Sequence, residues 1–172
     1  PIHLWRNAFD AWNQAGLRSF VRGANVVVCA YAGDDHLMLD GQKLLIDASE
    51  AEGVPRYVAS DYTIDYTKLE YGQLPAKDPM KRVYDFLQGR TVKGVHVLIG
   101  AFLDTFWSSW FGAFNPSENS LSLWGKGDEV WELTSYENAA EFVSLIALDE
   151  RAVGFQKCQH KISQPSIVEV LI

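Results

Sequence analysis

Lys81 stands in the segment Asp78-Pro79-Met80-Lys81, where an acidic residue followed by proline marks the start of a helix. A cation at a helix start works against the helix dipole, so its presence there calls for a reason. On a helical wheel Lys81 flanks the stripe Met80, Val83, Tyr84 and Leu87, which directs its ammonium over a neighbouring sheet edge. An ammonium in that position donates hydrogen bonds to sugar hydroxyls, or exchanges protons where burial lowers its pKa. The plain alternative is a solvated lysine in a first turn, as Lys77 is expected to be. A second stretch, "YVASDYTIDY" (57–66), begins as a buried strand and turns polar. If the strand leaves the core at Ser60, then Ser60, Asp61 and Tyr62 emerge at its carboxyl end. Two readings of the polar tail stand side by side: the wall of a ligand crevice, or a solvated loop.

Other chemistry-bearing residues form weaker patterns. His3, His36, His96 and His160 do not pair at metal-ligand spacing, and no cation-binding loop surrounds Asp61 and Asp65, so no metal is expected. His96 reads as a structural residue in a strand, and His36 as a helix-start residue with little claim on a ligand. Ser108 and Ser109 lack the glycine-flanked turn of a hydrolase nucleophile. The segment "FLDTFWSSWFGAFN" (102–115) is dense in aromatics, which either wall an apolar pocket or build a plain core or interface.

The elements that position these residues follow from periodicity. Residues 4–15 place Leu4, Ala8, Ala11, Trp12 and Ala15 on one helical face, with Gly16 as the stop. "GANVVVCAY" reads as a strand covered on both faces. Asp34 or Asp35 caps a helix whose inward stripe is Leu37, Gly41, Leu44, Leu45 and Ala48, with Gly53 at its end. "VPRYVAS" is the next strand, and the helix after Asp78 runs to Gly89. "GVHVLIGAFL" is a third strand, "SLSLWGKGDEVWELTSY" two short strands around the turn "GKGD", and "YENAAEFVSLIALDER" a helix ending near Gly154. "FQKCQHKI" reads as extended, and a further helix is expected from Pro165 or Ser166. Continuous apolar strands alternating with amphipathic helices predict a parallel α/β sheet with helices on both faces. Right-handed crossovers bring the carboxyl tips of the strands to one edge, where ligands bind such sheets.

The totals narrow the function. A chain of 172 residues with 48% hydrophobic and 22% charged residues suits one soluble globular domain. A formal net charge of -7 argues against nucleic acid and against anionic membrane surfaces. Cys29 and Cys158 lie far apart, Cys29 inside an apolar strand, so no disulfide framework is expected. No apolar run is long enough for a bilayer and the first residues lack a signal-peptide pattern, so a cytoplasmic location is expected. The absence of an initiator Met and the ending on "SIVEVLI" lead to the expectation of a fragment of a larger domain.

Taken in order, "GANVVVCAYAGD", "AEGVPRYVASDYTIDY", "PAKDPMKRVYDFL", "VKGVHVLIGAFLDTFW" and "SLWGKGDEVWELTSYENAAEFVSLIALDERAVG" resemble the NmrA-like and isoflavone-reductase-like branch of the atypical short-chain dehydrogenase/reductase superfamily. The likeness covers about residues 20–155 and rests on the order and spacing of five segments. It implies a Rossmann-like domain over residues 1–172, with about 104–172 contributing a substrate-side region. It also implies NADP or NAD as cofactor, and hydride transfer to a small aromatic or carbonyl compound. By the same resemblance Ala30, Tyr31 and Ala32, then Ser60, Asp61 and Tyr62, then Gly100, Ala101 and Phe102 end successive strands beside the cofactor. Lys81 matches the lysine used on the ribose and in catalysis, and Phe106, Trp107 and Trp110 fall on the substrate side.

Two departures bear on this. The position four residues before Lys81, a tyrosine in many superfamily members, is Lys77, and that tyrosine is also missing from this branch. No G-x-x-G-x-x-G or G-x-G-x-x-G occurs; the one G-x-G is Gly125 and Gly127 in the expected hairpin turn. In the family that loop lies on the first strand and helix, so an N-terminally truncated sheet is expected. Three outcomes remain open at the level of sequence: a reductase, a non-catalytic NADP-sensing regulator with a protein partner, or an inactive fragment.

Overall fold

A computed structural model describes residues 10–109, 111–122, 130–158 and 161–163. In chain order they form α1 (Gln14–Val21), β1 (Val27–Val28), a π-helical turn (Leu37–Gly41) leading into α2 (Gln42–Ala51), β2 (Arg56–Thr63), a 3-10 turn (Pro75–Lys77) and α3 (Asp78–Leu87). There follow β3 (Lys93–Leu98), β4 (Ala101–Phe102), α4 (Leu103–Phe106), β5 (Phe114–Asn115), β6 (Ser120–Leu121), β7 (Val130–Thr134), α5 (Tyr136–Leu148), β8 (Gly154–Lys157) and β9 (Lys161–Ser163). This is the expected α/β alternation. The chain divides into two compact units, one holding Pro1–Ser60 and Leu69–His96, the other Asp61–Lys68 and Val97–Ile172.

In the first unit the strands lie in the order β1-β2-β3, and β1 runs parallel to β2 with Val27 opposite Tyr57 and Val28 opposite Val58. Leu17, Val21, Val27, Leu45, Ile46, Tyr57, Val83 and Leu87 belong to one buried cluster, so α1, α2, α3 and the strands share a core. Of the helix expected over residues 4–15, residues 4–9 lie outside the described residues; residues 10–13 are not helical, and α1 starts at Gln14. Asn13 caps it by accepting the Gly16 N–H at 3.0 Å, which puts Gly16 in the first turn rather than at the stop. Leu17 and Val21 then supply the buried face. Arg18 and Arg22 both reach Glu52, at 2.8 and 2.9 Å, and so tie α1 to the end of α2.

The Asp34 cap is present, its carboxylate accepting from Leu37 N–H at 2.9 Å. Gly53 ends α2 at φ +73. The expectation that β1 is covered on both faces fails at Val28, which is 43% exposed while Val27 and Cys29 are buried. The α3 helix has Pro79 in its first turn and buries Met80, Val83 and Leu87. Asp78 does not cap it. Its carboxylate oxygens accept the Gly72 N–H at 3.1 and 3.2 Å, and the position before the helix is Lys77, at the end of the 3-10 turn.

The second unit holds the last residues of β2 and β3, with β8 next to β3. The β2 strand runs three residues past Ser60, so the expected polar loop begins as strand, with Asp61 and Thr63 buried. The strand expected from Gly94 to Leu103 is broken: β3 ends at Leu98, and β4 enters a different sheet of order β4-β7-β9. Within it β4 is parallel to β7 and β7 is antiparallel to β9. Among the described residues the two strands expected to flank "GKGD" belong to different sheets. β6 pairs with β5 and β7 with β4 and β9, while the turn itself lies outside the described residues, as does the helix expected from Pro165. Among the described residues no helix is long and apolar enough to cross a membrane.

Gly100 makes the break between β3 and β4. Its φ is +75, and a Cβ placed there would overlap the carbonyl of Glu132 and stand 2.8 Å from the Glu132 Cβ. Gly100→Ala is therefore expected to cost more than about 2 kcal/mol, from left-handed strain plus a clash with backbone that cannot give way. Gly53→Ala, at φ +73 with open space around it, is expected to cost only about 1 kcal/mol. Urea unfolding of the two variants checks the ranking.

Asp65 is the second test. Desolvation acts to raise its pKa, but hydrogen bonds from Lys157 and from the Thr67 hydroxyl and N–H outweigh this and hold it at about 2. A folded-state pKa below the unfolded value gives stability that is present above about pH 4 and lost as pH falls through 2. Asp65→Asn should remove roughly 1–2 kcal/mol at neutral pH and flatten stability between pH 4 and 2, a figure kept low because Lys157 is partly solvated. Unfolding curves at both pH values measure it.

Candidate functional site

The carboxyl end of β1 and β2 is organised by Ser60 and Gln42. Cys29 N–H donates to Val58 at 2.9 Å, continuing the β1–β2 ladder. Two residues further along β2 the pattern changes. The Ser60 N–H donates to Oε1 of Gln42 at 2.9 Å, and the Ser60 hydroxyl donates to the Tyr31 carbonyl at 2.7 Å. Gln42 is fully buried. Its Oε1 also accepts from the Tyr57 hydroxyl at 3.3 Å, and its Nε2 donates to the Met38 carbonyl at 2.7 Å. The helix thus supplies the acceptor for a strand amide, and beyond it the end of β2 is held to the segment after β1 by the Ser60 hydroxyl. Ala30 and Ala32 are exposed there and Tyr31 is half-buried. Burial, and secondly the neighbouring Cys29, push the Tyr31 phenol above its ordinary pKa.

Gln42 was not among the residues singled out from the sequence. The signal was available: Met38, Gln42, Leu45 and Ser49 share one helical face. A glutamine on an inward face needs a buried partner.

Lys81, in the first turn of α3, is held by the loop that precedes the helix. Its ammonium donates to the Leu69 carbonyl and lies 4.5 Å from the centre of the Tyr71 ring. The Arg82 guanidinium stands 5.6 Å from the same ring. The Tyr71 hydroxyl donates to Asp85. Desolvation, then the bond to Asp85, raises the Tyr71 pKa to about 12, so the hydroxyl remains a donor through the neutral range. With Gly72 bound to Asp78, the residues Asp78, Lys81, Arg82 and Asp85 form a polar side of α3 that clasps residues 69–72. Among the described residues these loop groups, and not Ser60, are the partners of the Lys81 ammonium.

In the second unit, Asp61 is buried and Tyr62 has φ +38, a left-handed value that strains a non-glycine backbone. The next carbonyl, that of Thr63, accepts from Ile99 at 2.9 Å and from Gly100 at 3.2 Å. The end of β2 therefore lies beside Ile99 and Gly100, while Ala101 and Phe102 continue into β4 opposite Leu133 and Thr134 of β7. The Phe102 ring packs 4.5 Å from that of Tyr136. Phe106 is 4% exposed and sits in a small core with Ala113 and Leu133, against which Trp107, Phe111 and Trp131 pack. Trp110 lies outside the described residues. His96 is buried, with its ring 5.2 Å from that of Tyr84, and His36 stacks on Trp12 at 4.1 Å. Among the described residues no group of three His, Cys, Asp or Glu side chains is placed to hold a metal ion.

No protein-family model matches the sequence, and no curated protein does. Several solved structures match the fold. AtPrR2 with NADP+ and (+)pinoresinol superposes with a TM-score of 0.81 at 18% identity, over 95% of this chain and 56% of that one. An isoflavone reductase gives 0.76 at 14% identity, over 95% and 55%. The triphenylmethane reductase of Citrobacter sp., complexed with NADP(H), gives 0.71 at 11% identity, over 95% and 57%. This chain therefore spans little more than half the length of each of the three. At such identities the shared property is the fold: the described residues adopt the Rossmann-like α/β arrangement found in these reductases.

Proposed function

We propose that the chain carries the sheet-edge part of a nicotinamide-dinucleotide site. The whole protein would be a reductase of the NmrA-like, isoflavone-reductase-like kind, acting on a small aromatic or carbonyl compound with NADP or NAD. The observation that carries this reading is the change of bonding at the carboxyl ends of β1 and β2, where Ser60 binds the Gln42 side chain and the Tyr31 carbonyl. In open α/β sheets that edge is where nucleotides bind. The three neighbours include two solved with NADP bound, which supports the cofactor class.

The residues present fit one part of such a cofactor. Small exposed side chains at Ala30 and Ala32 let a flat or sugar-like group approach backbone. They do not fit a pyrophosphate. The helix N-terminus after β1 is occupied by the Asp34 carboxylate and carries Asp35 next to it, and both repel phosphate. The chain's own glycines include no phosphate-cradling pattern. When bound, the dinucleotide supplies the hydride. In this reading Ala30, Tyr31, Ala32 and Ser60 border it, and the resemblance alone adds Asp61, Tyr62, Gly100, Ala101 and Phe102 of the other unit. Lys81 donates hydrogen bonds to the ribose and delivers a proton to the reduced product. Trp107 faces substrate, with Phe106 behind it as packing, and Trp110 is assigned to the substrate side by the resemblance alone.

A non-catalytic, cofactor-sensing role is the second reading. It is favoured by one observation: the Lys81 ammonium is already engaged by Leu69 and Tyr71.

Titration with NADPH, followed by cofactor fluorescence, tests the proposal. Binding with oxidation by an aromatic carbonyl compound is expected. In such a preparation Lys81→Ala should lower turnover about 100-fold or more while the unfolding midpoint stays put. Unchanged turnover in that variant removes Lys81 from the chemistry. Binding without turnover supports the sensing role, and no binding overturns the dinucleotide site.

A further inference from the structure

We propose that Tyr71 is the positioning residue for Lys81, with Asp85 fixing the tyrosine ring. The proposal rests on the role assigned to Lys81 above. The contacts carry it. The ammonium meets the Tyr71 ring face at 4.5 Å and the Leu69 carbonyl, two groups that attract positive charge. A lysine side chain with four rotatable bonds is thereby confined to one place. The ring itself is pinned at its far end by the bond from its hydroxyl to Asp85, one turn further along α3 than Lys81. The loop is pinned independently by Gly72 N–H on Asp78. Asp78, Lys81 and Asp85 stand on one side of the helix, so a single face of α3 holds the loop, the ring and the lysine. Lys77, by contrast, occupies the position from which a tyrosine would act in many members of the superfamily resembled. Here a tyrosine approaches the lysine from the preceding loop and touches it through its ring face.

The test uses the full chain and reads Lys81 directly. Reductive methylation with isotopic formaldehyde, followed by mass spectrometry of each lysine, gives a labelling rate that does not depend on turnover. Loss of the ring in Tyr71→Leu should raise the Lys81 rate roughly 2- to 5-fold, the size of a cation–π contact at a partly exposed site, with Lys43 unchanged as an internal reference. Tyr71→Phe, which keeps the ring face and loses only its pin on Asp85, should return part of the protection. In a preparation that turns over, Tyr71→Leu should lower kcat and Tyr71→Phe should restore part of it. An unchanged Lys81 labelling rate in a folded Tyr71→Leu protein overturns the proposal, as does a Tyr71→Phe protein indistinguishable from Tyr71→Leu. If NADPH fails to bind the unsubstituted protein, the dinucleotide reading falls, while the labelling rates still decide whether Tyr71 holds Lys81.

Discussion

One buried side-chain amide sets the geometry on which the proposed site depends. Gln42 takes the Ser60 N–H that a neighbouring strand would ordinarily accept, and it does so from inside a helix. A buried amide left without partners costs on the order of 1–3 kcal/mol per unmet group. Gln42 avoids that cost by bonding Ser60, Tyr57 and Met38 together. The consequence is local and functional at once. With its amide satisfied by Gln42, β2 has no need of β1 beyond Cys29, and Ser60 turns its hydroxyl onto Tyr31. The Ser60 amide and hydroxyl are thereby both satisfied at the end of the sheet.

The same logic explains the other abrupt turns. The Thr63 carbonyl receives two amides, from Ile99 and Gly100, where Gly100 at φ +75 stands between β3 and β4. No side chain fits there against Glu132. Polar residues that look like loop in the sequence are thus consumed inside strand ends: Asp61 and Thr63 are buried. Polarity marks the end of the strands here because hydrogen bonds to side chains and to doubled carbonyls replace the regular ladder.

Much of the fold is legible from pattern. Gly53 and Gly89 stop helices as their positions suggest, both at positive φ, and Asp34 caps where a short acidic residue belongs. What periodicity misses are decisions made by partners distant in sequence. The Asn13 cap, which an apolar stripe does not show, fixes Gln14 as the beginning of α1. Asp78 has the ideal position for a cap, yet a loop N–H from Gly72 takes its carboxylate. β7 turns from the hairpin partner nearest in sequence to β4 and β9, since a strand is paired by register and burial rather than by proximity along the chain. Of the candidate site, Ser60 and Lys81 were readable as residue types in promising places. Gln42 was readable as a polar residue on an inward helical face, but its partner was not, nor was the role of Tyr71, because each acts through a contact ten or more residues away.

Amide hydrogen exchange, with and without NADPH, tests the central arrangement most directly. The account predicts that the Ser60 amide is slow to exchange in both states, since Gln42 holds it. Amides from Ala30 to Gly33 should become slower only when NADPH is present. A Ser60 amide that exchanges freely, or protection by NADPH that appears away from the ends of β1 and β2, would contradict it.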